Sequence, residues 1–467
     1  MERKKLLSLS FFGIVMLSMI SCSQNDVEQT LETSSEKVSI EATPLSHVLS
    51  IDSIKSIALS LPNTFGNVQT KNVEKTIKEV LPLSHFIQNA PQTKSTEETI
   101  DCIYVVNYEA NNGFSILSRD TRVPTVLGYS DNGNIVPGDI HDGLAYVLDI
   151  IPGYVSQKMD EYNQRIDSLN QHLSSFLIQT KAFGDCQYDS LALDKELEDL
   201  EDSNNKILET FYYYEGDWTT VTQYGPLYNG IDWHQGYPFY NSIDGKDGCD
   251  HCLVGCVAVA VAHILAYNQY PTSFTAKGVS YSTSWFFISE AASSSLLKGI
   301  ADAVDTDFGC GSPIDKGSAS SISNAKSALE SIFGYQCDGI VSYSWGDVCT
   351  DLRNGQIVFI DAGDVNDGNT RHSWIIDGAY SRSRLRHEVA TIYNRSDNSI
   401  VGTQCIDETN AIQMLVHCRW GEPYCQGNGY FESGLFTPAK PIISDGNSID
   451  SERIYNQSQK IIKNVRK

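Results

Sequence analysis

Positive charge is scarce in this chain: 34 Lys and Arg stand against 58 Asp and Glu, a formal net charge of −24 over 467 residues. That balance argues against nucleic acid and against anionic membrane surfaces as partners, since both repel an acidic surface. Long apolar runs are missing too. The longest, Leu6 to Ile20, follows Arg3, Lys4 and Lys5 and is short for a comfortable bilayer span, so it fits a signal peptide over residues 1–21. There is no tandem repeat and no glycine-rich phosphate loop. Cys249-x-x-Cys252 has no second cysteine pair of matching spacing, so a zinc site is disfavoured against a disulfide or free thiols. No metal and no cofactor is expected.

The apolar run ends in S-M-I-S-C-S, which resembles a bacterial lipobox. The resemblance implies lipidation of Cys22, with residues 22–36 as a polar tether; simple secretion after cleavage near Ser21 remains the alternative. Either way the chain is expected to be exported, at the outer membrane or cell surface or released after processing. Any membrane contact would run only through the lipid. Export permits disulfides. Eleven cysteines follow Cys22, an odd count that leaves at least one thiol, and Cys256 is the expected leftover.

The length suits two or three domains. Residues 51 to 64 carry helical spacing up to Pro62. Ile103–Tyr108 and Phe114–Ser118 read as strands joined by the hairpin signal A-N-N-G, with a third strand over 123–129. Residues 142–178 carry helical patterning, interrupted at Pro152-Gly153. Together these make an α+β unit over 37–181. Residues 182–210, with the acidic run 194–202, read as a linker, and 211–440 as a second, mixed α and β domain with few helices. Residues 441–467 read as a tail.

Chemistry concentrates at Cys256, in L-V-G-C-V-A-V-A-V-A-H-I-L-A-Y. V-A-V-A-V-A alternates as a strand would, but its length and alanine content favour a helix stopped near Asn268 and Pro271. A helix starting at Cys256 places free N–H groups and a positive dipole end at the sulfur, which favours a thiolate. A lone cysteine there is ordinarily a small core residue, so a base decides. His263 lies two turns along the same helix, and His387 sits in the charged R-S-R-L-R-H-E, expected to be an exposed hairpin. His372, opening the apolar strand H-S-W-I-I-D-G, is the best candidate. Gln235, 21 residues before the cysteine (256 − 235), could add an amide to the Cys256 N–H as an oxyanion donor.

G-C-V-A-V-A-V-A-H-I-L-A-Y-N-Q-Y-P, H-S-W-I-I-D-G, W-H-Q-G-Y-P-F-Y-N and H-C-R-W-G-E-P-Y-C-Q-G-N-G-Y-F occur in the order of corresponding motifs in the streptopain family of secreted bacterial cysteine peptidases. The chain resembles that family, and residues 104–134 resemble its inhibitory pro-domain. The resemblance implies an α+β chain: a papain-like peptidase domain behind a smaller α+β pro-domain of antiparallel sheet and helices. It implies an exported cysteine endopeptidase made as a zymogen, acting on proteins or peptides through a thioester, with its own pro-domain as intramolecular inhibitor. It implies roles for Cys256 as nucleophile, His372 as base, Gln235 as oxyanion donor, Trp420 as a shield packed on the histidine, and Asp377 as a supporting strand-end residue. Two departures stand out. The family's N-W-G-W-G-G is R-W-G-E-P-Y here, so Arg419 replaces an asparagine and the second tryptophan is lost. Extra polar sequence between Tyr380 and Met414 reads as an added surface hairpin. Arg419 and the lost second tryptophan keep a rival open: a catalytically weak surface lipoprotein that binds rather than cleaves.

Overall fold

The computed structural model describes residues 46–66, 74–87, 99–171, 205–246, 248–283, 290–312, 315–363, 371–423, 426–437 and 459–467. Cys22, the signal segment and nearly all of the expected linker lie outside them. Residues 46–467 form one compact unit.

Fifteen strands and six α-helices follow in chain order among the described residues. Helix α1 (Ile51–Phe65) precedes β1 (Ile77–Pro82), β2 (Ile103–Tyr108), β3 (Phe114–Ser118) and β4 (Val126–Ser130), and then α2 (Asp142–Gln171). After β5 (Lys206–Tyr224) come α3 (Cys256–Asn268), β6 (Ser273–Ala276), β7 (Val279–Ser282), α4 (Glu290–Ala303), β8 (Asp307–Ser312) and β9 (Asp315–Ala319). The chain closes with α5 (Ile322–Ser331), β10 (Gly339–Ser342), α6 (Trp345–Arg353), β11 (Val358–Gly363), β12 (Arg371–Asn394), β13 (Ile400–Arg419), β14 (Gly429–Glu432) and β15 (Lys460–Lys463).

Eleven strands make one sheet in the order β1-β2-β3-β4-β14-β13-β12-β11-β15-β10, with β5 paired to β12 off that path. Every pairing is antiparallel, and helices pack on both faces, so the fold is α+β. The sheet of β1–β4 therefore continues directly into the sheet of the second half of the chain, through the pairing Tyr129↔Tyr430. Beside a smaller core between α1 and the sheet, which holds Ile54, Leu61, Tyr108 and Tyr129, side-chain alternation gives two larger ones. Val358, Ile360, Trp374, Ile376 and Ile461 point to one, shared with Leu144, Val147, Ile151 and Val155 of α2. Phe359, Ile375 and Ile462 point to the other, filled by α3, α4 and α5.

Helix α3 explains its own ambiguity. Val257 through Ala266 are all buried, so it needs apolar residues on every face and shows no amphipathic period. Gln269, in the left-handed region at φ 50°, ends it close to the expected stop. Pro152 does not interrupt α2, and Pro62 does not end α1. In α2 the missing proline N–H is outweighed by the burial of Leu148, Ile151, Tyr154 and Val155 around it.

Four other readings change. β5 begins at Lys206, inside the expected linker, because β12 offers it a partner edge along its whole length. The expected tail returns as β15 between β11 and β10, a strand too short to signal itself in sequence. The hairpin β12–β13 is present, but His387 within it is buried, 1% exposed, because β5 covers the other edge of β12. The second domain also holds four of the six helices, more than its composition suggested. Cys249 pairs with Cys310, and Cys102, Cys252, Cys256, Cys337, Cys349 and Cys418 remain thiols. Cys256 is thus one of several unpaired cysteines.

Candidate active site

Cys256 is the first residue of α3. Gly255 before it takes φ +94°, a conformation that costs a side-chain-bearing residue and lets the chain turn sharply into the helix. The first helical bond runs from Val259 N–H to the Gly255 carbonyl at 3.1 Å, which leaves the Cys256 N–H among the free donors of the helix start. The approach strand is pinned from both sides. Leu253 N–H donates to Gly309 O at 2.9 Å, and Val254 N–H to Gln235 O at 3.1 Å. Gln235 is thereby fixed by its backbone two residues upstream of the thiol, and it is half-buried.

The second residue of β12 is His372, opposite Ala362 and 3% exposed. Its Nε2 lies 2.9 Å from the Trp420 carbonyl. A carbonyl only accepts, so Nε2 carries the hydrogen and Nδ1 is the free base. The ring stacks at 6.0 Å on Trp374. Trp420 is locked in turn: its N–H donates to Asn428 Oδ1 at 3.0 Å and its indole Nε1–H to Gly427 O at 2.9 Å. The N–H of Ser373, the residue after His372, hydrogen-bonds toward the Cys256 sulfur. The helix start therefore faces the strand start, with the thiol against the residue that follows His372.

Asp377 does not stand at a strand end and does not face His372. It sits in a bulge within β12, between Ile376 and Gly378, fully buried. The bulge turns its carboxylate to His417 Nδ1 at 2.5 Å and Arg419 Nε at 3.2 Å. Burial alone would raise its carboxyl, but His417 and Arg419 hold it below the usual range. Arg419 also reaches Asp232 at 2.6 Å and the Tyr228 carbonyl at 3.2 Å. It is thus committed to this buried cluster, and a backbone carbonyl orients the histidine instead of the residue at 419. His263 is neutral in the core, its basicity pushed down to about 3, chiefly by burial.

The site is closed by the start of α2. A Cβ on Gly143 would lie 2.6 Å from the Trp420 ring, so the helix start touches the indole directly. His141 bridges Gln426 Oε1 (Nε2 at 2.6 Å) and Glu422 Oε2 (Nδ1 at 3.5 Å). Burial pushes the Cys256 thiol up to about 11; the Ser373 N–H opposes this, while Asp361 and Asp142 add to it. In this form its surroundings favour the thiol over the thiolate. Sequence reasoning passed over Asn428, Glu422, Asp361 and the 141–143 segment. Only Glu422 left a trace, as the lost second tryptophan.

Residues 52–154 match the family model of the Spi protease inhibitor, and residues 233–293 that of the Peptidase C10 family. The two matches mark a cysteine peptidase with an inhibitor segment ahead of it. The C10 match takes in Gln235 and Cys256 and ends before His372 and Trp420, while the inhibitor match runs from α1 into α2 and includes Gly143. Among solved structures, a prointerpain A fragment from Prevotella intermedia is 16% identical with a TM-score of 0.44, covering 83% of this chain and 98% of that one. Active wild-type interpain A cysteine protease of the same organism is 17% identical with a TM-score of 0.31, covering 51% and 94%. No curated protein matches the chain.

Two carboxyls under the inhibitor helix predict how pH acts on the zymogen. Glu422, facing His141, Asp142, the Gly143 N–H and His372, is pushed up to about 7, mainly by burial. Glu432, facing Tyr154, Lys158 and the Gly434 N–H, is pushed up to about 8, again mainly by burial. Both acids hold protons in the docked form that they release when α2 lifts and water reaches them. Docking is therefore firmest when both are protonated. It should weaken as pH rises toward 8, by up to about tenfold per pH unit for each group between its free and docked values. Protection of the amides at the start of α2 in a Cys256→Ala chain, taken relative to their intrinsic exchange rates, should fall from pH 5 to 8; constant protection would contradict the linkage.

Proposed function

We propose that the chain is an exported zymogen endopeptidase in which Cys256 attacks the scissile carbonyl and forms a thioester with the acyl half of the substrate. His372 Nδ1 takes the thiol proton and returns it to the leaving amine; water then hydrolyses the thioester. The Cys256 N–H and the Gln235 amide donate to the oxyanion. Trp420 shields the imidazole and supplies the carbonyl that fixes its tautomer. Asp377 acts at a distance, holding β12 to β13 and to the segment at Tyr228. Protein or peptide substrates reach the cleft once the inhibitor segment is cut away, and Cys22 carries the lipid anchor.

The observation that carries this reading is the meeting of a helix-start thiol with the residue beside a carbonyl-oriented histidine, beneath the start of α2. The rival binding-module reading rested in part on Arg419, which is engaged with Asp377, Asp232 and Tyr228. A peptide-epoxide probe should label Cys256 in the processed protein and spare it in the zymogen. No label after processing would sink the mechanism. Palmitate incorporation lost in Cys22→Ser tests the anchor.

A further inference from the structure

Glu422 stands where the family element has its second tryptophan, and its setting is unusual for a carboxylate. It is 8% exposed. Its Oε1 is buried and has no hydrogen-bond partner. Among the described residues, the donors that reach the carboxylate belong to the inhibitor segment: His141 at 3.5 Å from Oε2, and the Gly143 N–H. Burial under α2 keeps this group protonated; when the inhibitor leaves, its donors go with it and the carboxyl ionises, free to accept from a new cation. Glu422 is two residues beyond Trp420, whose carbonyl holds His372. Since the imidazole hands its proton to the departing amine, Glu422 flanks the side of the cleft on which the leaving half of the substrate lies.

We propose that Glu422 is a specificity residue: with the inhibitor gone, its carboxylate accepts a lysine or arginine side chain from the leaving-group half of the substrate. This rests on the Cys256–His372 reading above. His141, a basic side chain clamped between Glu422 and Gln426, holds in the zymogen the place that a cationic substrate side chain takes in the active enzyme. A flexible or branched cation can also reach the unpartnered Oε1, which His141 leaves empty. Residues 211–467, which remain once the inhibitor is gone, are still acidic, with 28 Asp and Glu against 18 Lys and Arg, and draw such substrates in from a distance.

The test uses the full chain, left to process itself, and peptides that differ only in the residue after the scissile bond or one further on. The ratio of kcat/KM for Lys or Arg over Glu is read within each variant, so a general change in activity cancels. The unsubstituted enzyme should favour the basic residue by about 10–100-fold, the range expected for a charge-assisted hydrogen bond. Glu422→Gln should bring the ratio near one, Glu422→Arg should reverse it, and Glu422→Asp should retain it. A ratio near one in the unsubstituted enzyme, or an unchanged ratio in Glu422→Gln, overturns the subsite and leaves the peptidase reading standing. Failure to cleave any peptide would instead overturn the peptidase reading and the subsite with it.

Discussion

The Cys256→Ala chain is expected to cleave no peptide and to persist as a single full-length species under conditions in which the unsubstituted chain processes itself. The loss should reach at least about 10⁴-fold, because without the sulfur no acyl-enzyme forms and only the oxyanion donors and substrate binding remain. The fold should not suffer: alanine is a strong helix former and Cys256 is only half-buried at the first position of α3. Retained activity would move the nucleophile elsewhere. The other thiols offer little: Cys252 and Cys418 are buried, and Cys102 and Cys337 are pushed up to about 12 by burial. Activity assays and mass analysis of the stored protein decide the matter together.

Gly143→Leu is expected to release the inhibitor. Any side chain at 143 meets the Trp420 ring, with the nearest ring atoms 2.6 and 2.8 Å from its Cβ. The indole cannot step aside, since its Nε1 is bonded to Gly427 and its ring packs on Trp374 at 4.9 Å and Phe431 at 5.1 Å. The start of α2 must move instead. Overpacking of this kind costs about 1–3 kcal/mol, equivalent to roughly 5- to 150-fold weaker docking. Asp142 retreats with it, and the Cys256 thiol loses part of what keeps it protonated. The variant should process itself faster and alkylate at Cys256 before processing, read by site-resolved mass analysis. A variant as latent as the parent would mean that the rest of the interface, β4 on β14 and the lower half of α2 on β5, suffices for inhibition.

The second result bears on how the inhibitor holds. Beyond the active site, Tyr162 donates to the Thr210 carbonyl at 2.6 Å, and Asn170 bonds Leu208 in both directions at 3.0 and 2.7 Å. At about 1.5 Å rise per residue, α2 reaches some 45 Å from the catalytic cleft to the β5–β12 ribbon. One helix thus couples the nucleophile to the strand on which the intervening segment re-enters the fold.

Local motifs carried much of this protein in the sequence. The helix at Cys256 follows from its length, alanine content and stop; the β2–β3 hairpin from A-N-N-G; the choice of His372 over His263 from helical geometry. These are short-range properties, written in neighbouring residues. The sequence could not decide what depends on distant partners. Pro152 stays inside a helix because a core forms around it. His387 is buried because β5 covers it. Residues 460–463 become a strand because β10 and β11 offer two open edges. Asp377 sits inside β12 because a bulge turns it toward Arg419, and with Arg419 so engaged the Trp420 carbonyl, just past β13, orients the histidine. The sequence alone determined which residues could carry thiol chemistry. Only the tertiary structure decided which of them meet, and that Glu422 and the thiol lie beneath the start of α2, because burial and pairing are set by chain segments hundreds of residues apart.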